Sequence, residues 1–306
     1  MNLRDLEYAD ALARTRHFGA AARACHVSQS TLSIQIKKLE EELGLKLFER
    51  DSRQVLLTDA GVTLLAEVKN ILKAHRQLKE KAAALQNPLA GIVRFGAFPT
   101  LAPYILPLIM QPLHQELPHA QFQLVEDKTE QLLQHLLDGG LDAALIALPV
   151  TDARLDAFPL FSEAFTLAVS RQSRLATRKS VRLEEVKGEE LLLLDEGHCL
   201  RDQSLEFCTR IGIGESQSYR ATSLETLRHM VAADAGVTLM PALAITDDTP
   251  QIAYLPFRGQ GPERLIALVF RSSTARRSLF TAIARTIRQA LRTQPGIKPL
   301  ASASTI

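Results

Sequence analysis

Apolar side chains recur at helical spacing through the first part of the chain. Leu3, Leu6, Tyr8, Ala9, Leu12 and Ala13 would line one face of a helix, and an alanine-rich second helix fits Phe18 to Cys25. His26-Val27-Ser28 breaks that pattern. Ser28 is a good N-cap, so a third helix is predicted from Gln29 to about Leu43, with Gly44 as its stop. Leu32, Ile36, Leu39 and Leu43 form its inward stripe, and the other side offers Gln29, Ser30, Thr31, Ser33, Gln35, Lys37 and Lys38. Leu47 to Leu57 reads as a hairpin, with Asp51-Ser52 at its tip flanked by Arg50 and Arg53. Thr58-Asp59-Ala60-Gly61 then opens a long helix reaching about Gln86. Along it Leu64, Val68, Ile71, His75, Leu78, Ala82 and Leu85 alternate spacings of four and three, a heptad seam expected to dimerise.

From Gly91 onward strands and helices alternate. Strands are predicted at 92–98, 121–125, 143–148, 165–169, 191–194, 219–221, 237–240, 252–255 and 265–270, and a closing helix from Arg276 to Leu291. That alternation argues for an α/β domain with largely parallel sheets. Its length suggests two lobes, with the chain crossing near residue 160 and returning near 268. The expected organisation is a winged helix-turn-helix (1–58), a dimerising linker helix (59–87), lobe I (88–161 and 268–296), lobe II (162–267) and a flexible tail (297–306). Ligands in such folds bind in the cleft at strand C-termini. Residues 149–160 and 211–218 carry no pattern to which a role attaches.

Charge sharpens the reading of the N-terminal part. Residues 11–39 contain no acidic side chain but carry Arg14, Arg16, Arg23, Lys37 and Lys38, whereas residues 88–306 are near neutral, with 22 basic and 23 acidic groups. Two short helices around a tight turn, small polar residues early in the second, and a basic hairpin form a DNA-reading plan. The expected contacts to double-stranded DNA are Ser28, Gln29, Ser30, Thr31, Ser33, Gln35, Lys37, Arg50 and Arg53. No apolar run approaches the roughly 18 residues of a membrane span, and the first residues do not form a signal peptide, so a cytoplasmic protein is expected. Three cysteines, Cys25, Cys199 and Cys208, make no disulfide scaffold. No P-loop, dinucleotide fingerprint or metal-spaced Cys/His cluster occurs, so neither metal nor cofactor is expected.

Gly19-Ala20-Ala21-Ala22, Val27-Ser28-Gln29-Ser30-Thr31-Leu32-Ser33, Ile36-Lys37-Lys38-Leu39-Glu40 and Leu47-Phe48-Glu49-Arg50 resemble the winged reader of the LysR-type transcriptional regulators. The resemblance covers the reader, the linker and the sensor in order. It implies a periplasmic-binding-protein-like regulatory domain, a homotetramer as the usual assembly, and RNA polymerase as a partner. Gly197-His198-Cys199-Leu200-Arg201-Asp202-Gln203 with Cys208, Ala221-Thr222-Ser223-Leu224-Glu225-Thr226-Leu227, and Met240-Pro241-Ala242-Leu243-Ala244 are similar to the peroxide-sensing branch of that family. That likeness implies that Cys199 is the peroxidatic thiol and Cys208 the resolving one. It also implies that hydrogen peroxide is held by Thr100, Thr129, His198 and a last-strand arginine taken as Arg271. A thiol reductant such as glutaredoxin would reset the disulfide.

The chemistry of these residues is consistent with that role. A thiolate attacks peroxide, and His198, Arg201 and a nearby helix start would favour the thiolate of Cys199. The resulting sulfenic acid can be captured by a second thiol. If residues 200–210 are helical, nine residues place the two side chains about 13 Å apart along the axis and on opposite faces. A disulfide needs Cα atoms within roughly 7 Å, so pairing would require local refolding, an order–disorder switch. Two other readings remain: a regulator answering a small organic effector in the cleft, with Cys199 incidental, and a thiol peroxidase. The DNA-reading module argues against an enzyme. Cys25, on the alanine-rich helix, reads as a packing residue.

Overall fold

Local hydrogen bonds fix the ends of the N-terminal helices. In the computed structural model α1 (Leu3–Thr15) starts at a capping box: the Asn2 side chain accepts from the Arg4 and Asp5 amides, and the Asp5 carboxylate accepts from the Asn2 amide. Helix α2 (Phe18–Ala24) is capped by the His17 ring, which accepts from the Ala20 amide. Helix α3 (Gln29–Leu43) begins where Ser28 Oγ accepts from the Thr31 amide at 3.1 Å, and ends at Gly44, whose φ of +70° is left-handed. Leu32, Ile36 and Leu39 are buried with Leu6, Leu12, Ala21 and Phe48 in one small core. Strands β1 (Phe48–Arg50) and β2 (Val55–Leu57) pair antiparallel as the wing.

Two contacts join the wing's first strand to the next helix, α4 (Asp59–Gln86). The Thr58 hydroxyl donates to the Lys46 carbonyl at 2.6 Å and accepts from the Gly61 amide at 2.9 Å. A Cβ on Gly61 would lie 2.1 Å from the Leu47 carbonyl oxygen, so only glycine fits there. Glu40, 2% exposed, receives the amides of Leu47 and Phe48 at 3.0 and 3.2 Å and Lys46 Nζ at 3.1 Å. Burial pushes its carboxyl up in pKa. The Lys46 and backbone hydrogen bonds outweigh that and leave it below the ordinary carboxylate value.

The described residues are 1–50, 55–87, 89–195, 215–246, 248–259 and 261–300. They form two units, Met1–Ala82 and Ala83–Ile306. In the second, β3 (Gly91–Ala97), α5 (Ala102–Glu116), β4 (Ala120–Glu126), α6 (Thr129–Leu137) and β5 (Ala143–Ala147) alternate, with β3 parallel to both β4 and β5. Strand β6 (Leu155–Ser170) then runs 16 residues. Beyond it come β7 (Leu191–Leu194), β8 (Glu215–Ala221), α7 (Leu224–Ala232), β9 (Thr238–Pro241), β10 (Ile252–Pro256), β11 (Glu263–Arg271), α8 (Arg277–Ala290) and β12 (Ile297–Pro299). The sheet order is β10-β6-β11-β5-β3-β4, with β9 and β12 also on β6. One core gathers Val93, Phe95, Ile105, Leu145, Phe270 and Phe280; the other gathers Phe165, Leu167, Leu192, Leu227, Leu239 and Ile252. These are the two α/β lobes, and β6 and β11 carry the chain between them.

Four expectations change. The sheets are not largely parallel: β6 pairs antiparallel with β9, β10, β11 and β12, and β11 pairs antiparallel with β5, because the long strand β6 and the returning β11 run against their neighbours. Residues 155–160, which carry no legible pattern, are the first half of β6; Pro159 sits at an irregularity where β6 and β11 shift register, a place that tolerates a missing amide donor. The tail is not loose from 297: β12 pairs with β6 and the Leu300 amide donates to the Leu160 carbonyl at 2.9 Å. Along α4, Val68 is turned into the domain's own core beside Leu65 and Leu72, while Ile71 and Leu78 are exposed. Of the expected seam, Ile71 and Leu78 are thus presented and Val68 is not.

Candidate functional site

The first site is the outer face of α3. Ser28, Gln29, Ser30, Thr31 and Lys37 are exposed, and Ser33 and Gln35 are half-buried on its flanks. The Ser28 hydroxyl lies 2.9 Å from that of Ser30 and 2.7 Å from that of Thr31, so three hydroxyls converge at the helix N-terminus. Lys37 is 3.6 Å from Glu41 one turn on, an exposed pair of little energy that a phosphate can displace. Arg50 ends β1, but its side chain, the whole of Arg53 and the wing tip lie outside the described residues.

The second site lies where the lobes join. Arg264 on β11 is 1% exposed. Its Nε donates to Glu163 at 2.7 Å, and its two terminal nitrogens donate to the Thr100 hydroxyl and carbonyl at 3.0 and 3.1 Å. The guanidinium also lies over the rings of Phe98 and Phe165 at 5.2 and 5.6 Å. Glu163, on β6, takes the Leu243 amide at 2.9 Å with its other oxygen. A charge pair removed from water holds only when its remaining groups are satisfied, and here three elements supply the partners. Nearby, Tyr104 on α5 donates to Glu225 on α7 at 3.0 Å; burial and the Glu225 charge push its phenol upward in pKa.

Thr100 is thus placed by an arginine, but not by Arg271. Arg271, seven residues further along β11, donates to the carbonyls of Leu136 and Leu141 at 2.7 and 2.5 Å and stands 3.9 Å from Asp142, within lobe I. Arg264 and Glu163 were not among the expected site residues. The usable signal is an arginine directly ahead of the apolar run 265–270, because a charge in a buried strand needs a partner. Thr129 opens α6, and its hydroxyl is buried with no hydrogen-bond partner among the described residues. His198, Cys199 and Cys208 lie outside the described residues, on the stretch that joins β7 to β8. Those two strands pair side by side and parallel, and the Asp195 amide just past β7 donates to the Ala221 carbonyl at 2.9 Å.

A cavity of about 950 Å³ opens in the same unit, lined by Tyr104, Phe165, Leu243, Tyr254 and Phe257 with Glu263 and Lys298 at its polar side. The Tyr254 hydroxyl is buried without a hydrogen-bond partner among the described residues. No helix among them is long and apolar enough to cross a membrane.

Comparison with known proteins places both sites in context. Residues 3–62 match the bacterial regulatory helix-turn-helix protein family model, lysR family, and residues 86–292 match the LysR substrate binding domain. A hydrogen peroxide-inducible genes activator from Pectobacterium carotovorum is 45% identical over 94% of this chain and 96% of its own length. Full-length OxyR from Pseudomonas aeruginosa, a cysteine-to-aspartate variant, is 37% identical, with a TM-score of 0.74 over 94% of this chain and 98% of that one. A cysteine-to-serine OxyR mutant from Corynebacterium glutamicum, solved H2O2-bound, is 34% identical, with a TM-score of 0.66 over 95% of this chain and 92% of that one. These relatives are DNA-binding regulators, not enzymes, and their likeness runs from reader to sensor. The chain belongs to the LysR family of bacterial regulatory helix-turn-helix proteins, among its OxyR-like members.

Proposed function

We propose that this protein is a cytoplasmic, peroxide-responsive activator of oxidative-stress genes. The observation that carries the proposal is likeness to peroxide-inducible gene activators over 94% of the chain, with two cysteines nine residues apart in the regulatory unit. In the first step the Cys199 thiolate attacks hydrogen peroxide: an S–O bond forms, the O–O bond breaks, and hydroxide leaves. The Cys208 thiol then attacks the sulfenic sulfur, giving the Cys199–Cys208 disulfide and water. Thr100, held by Arg264, together with Thr129 and His198, would orient the peroxide. The buried, unpartnered Thr129 hydroxyl supports that role, since a polar group without a partner is costly unless a ligand meets it. Arg264 replaces Arg271 in this reading because Arg264 is the arginine bound to Thr100. The disulfide would refold the segment between β7 and β8 and so bias lobe II.

The reader would bind two half-sites as a dimer through the exposed α4 positions Ile71 and Leu78, two dimers would form a tetramer, and RNA polymerase would be recruited there. A thiol reductant of the glutaredoxin type would reset the switch. The test is peptide mapping after a brief pulse of stoichiometric hydrogen peroxide. A Cys199–Cys208 disulfide, absent in Cys199→Ser, is the expected result; thiols untouched at micromolar peroxide would overturn the reading. A second reading, control by a small organic effector, is favoured by the 950 Å³ cavity beside Tyr254. It requires DNA binding that ignores peroxide.

A further inference from the structure

The outer face of α3 holds an isoleucine that the fold does not use. Ile34 is 65% exposed, among the largest exposures of any large apolar side chain among the described residues. At about 100° per residue, the inward stripe of Leu32, Ile36, Leu39 and the partly buried Leu43 centres about 170° away from it, so Ile34 points almost directly out. Ser30 stands about one turn before it, and Lys37 and Lys38 about one turn after; all three are exposed. A β-branched residue there lowers helix propensity slightly and buries nothing within the chain. Its neighbours also argue against a second copy of the chain as its cover. Two lysines would meet their own images across a two-fold axis, whereas they complement a polyanion. In the major groove, the one apolar group on a base edge is the C5 methyl of thymine.

We infer that Ile34 reads a thymine methyl group in the major groove, and is a specificity-determining residue of this protein's operator. The inference rests on α3 being the DNA-reading helix. Ser30 and the cap hydroxyls engage base edges or phosphates at the helix N-terminus. Ile34 excludes water from a thymine one turn further in, and Lys37 and Lys38 hold the flanking phosphates. Burial of a single methyl group is worth about a three- to fourfold change in affinity, enough to prefer thymine at that base pair without dominating the complex.

The experiment uses the full chain. A high-affinity operator is selected from a random DNA library, and each thymine is replaced singly by deoxyuridine, which removes only the methyl group. Binding is measured for the wild type, Ile34→Ala and Lys37→Ala. One thymine in each half-site should lose about three- to fourfold in affinity on demethylation with the wild type and nothing with Ile34→Ala. Ile34→Ala should also accept cytosine or uracil there. Equal methyl sensitivity of wild type and Ile34→Ala at every thymine would overturn the inference, as would an affinity loss in Ile34→Ala with no position-specific methyl effect. Lys37→Ala separates the two claims. If it weakens binding to all sequences alike and lowers the salt dependence, α3 reads DNA whatever Ile34 does; if it changes nothing, the assignment of α3 itself fails. Alanine is the better helix former, so Ile34→Ala leaves the thermal midpoint unchanged or raised.

Discussion

The two ends of β11 each bury an arginine, and they use it differently. At Arg271 the guanidinium meets the carbonyls of Leu136 and Leu141, both from lobe I, with Asp142 at 3.9 Å. That end ties the close of α6 to the sheet it packs on. At Arg264 the partners come from β6 and from the residue just ahead of α5, and Glu163 in turn reaches Leu243 beyond β9. That end fixes the place where one lobe hands the chain to the other. A buried arginine on carbonyls and a carboxylate of its own lobe is a structural clasp. A buried arginine shared between a carboxylate and a threonine at a lobe junction sets the position of whatever the threonine serves.

Substitutions can break this contrast, and the largest effect is expected at Glu163. Glu163→Leu leaves the Arg264 charge buried and unpaired and should destabilise the regulatory unit by about 3–5 kcal/mol in urea titrations. The double variant Glu163→Leu/Arg264→Met should recover most of that stability yet oxidise Cys199 more slowly under a peroxide pulse. A double variant as unstable as the single would refute the pairing. Arg271→Met strands two carbonyls and removes the cation beside Asp142, and should cost about 2–3 kcal/mol, with the rate of Cys199 oxidation unchanged. A slowed rate would erase the distinction between the two ends.

Glu40→Gln keeps the shape but loses the charge that the Lys46 ammonium and two amides serve, at about 1–2 kcal/mol. Its pH dependence has a definite sign. The folded pKa lies below the ordinary value of 4.5, so wild-type stability from this group is fully present above that value and is lost as pH falls through the folded one. Acid titrations of the two proteins should therefore converge in that window. The smallest effect is expected at Thr129: exchange for valine removes an unpartnered hydroxyl and should change stability by under about 1 kcal/mol, in the stabilising direction, while slowing peroxide oxidation.

Legibility in the sequence followed the range of the interactions. The Ser28 cap, the Gly44 stop and the apolar stripe of α3 are set by residues within one or two turns, and they stand where local rules put them. The strands of the regulatory unit were legible as short apolar runs between polar breaks. The first half of β6 was hidden because Pro159 and Asp156 weaken any strand pattern, and its pairing depends on β11, about a hundred residues later. The choice between Arg264 and Arg271 was illegible for the same reason: both flank one apolar run, and only the contact between Arg264 and Thr100, 164 residues apart in the chain, distinguishes them. Ile34 lies off the apolar stripe of α3, and the sequence alone does not separate an outward apolar residue that meets a partner from one that is merely solvated.

The bond between the wing and α4 has a mechanical consequence. Because Gly61 lies against the Leu47 carbonyl and Thr58 bridges to Lys46, the start of α4 is seated directly on the base of the wing. Helix α4 has 28 residues, about 42 Å of arm. A tilt of about 5° at the base sweeps its far end through about 4 Å, close to the rise of one DNA base pair at 3.4 Å. The contact at Gly61 thus sits at the short end of a long lever, where a small change of angle corresponds to a displacement on the scale of one base-pair step.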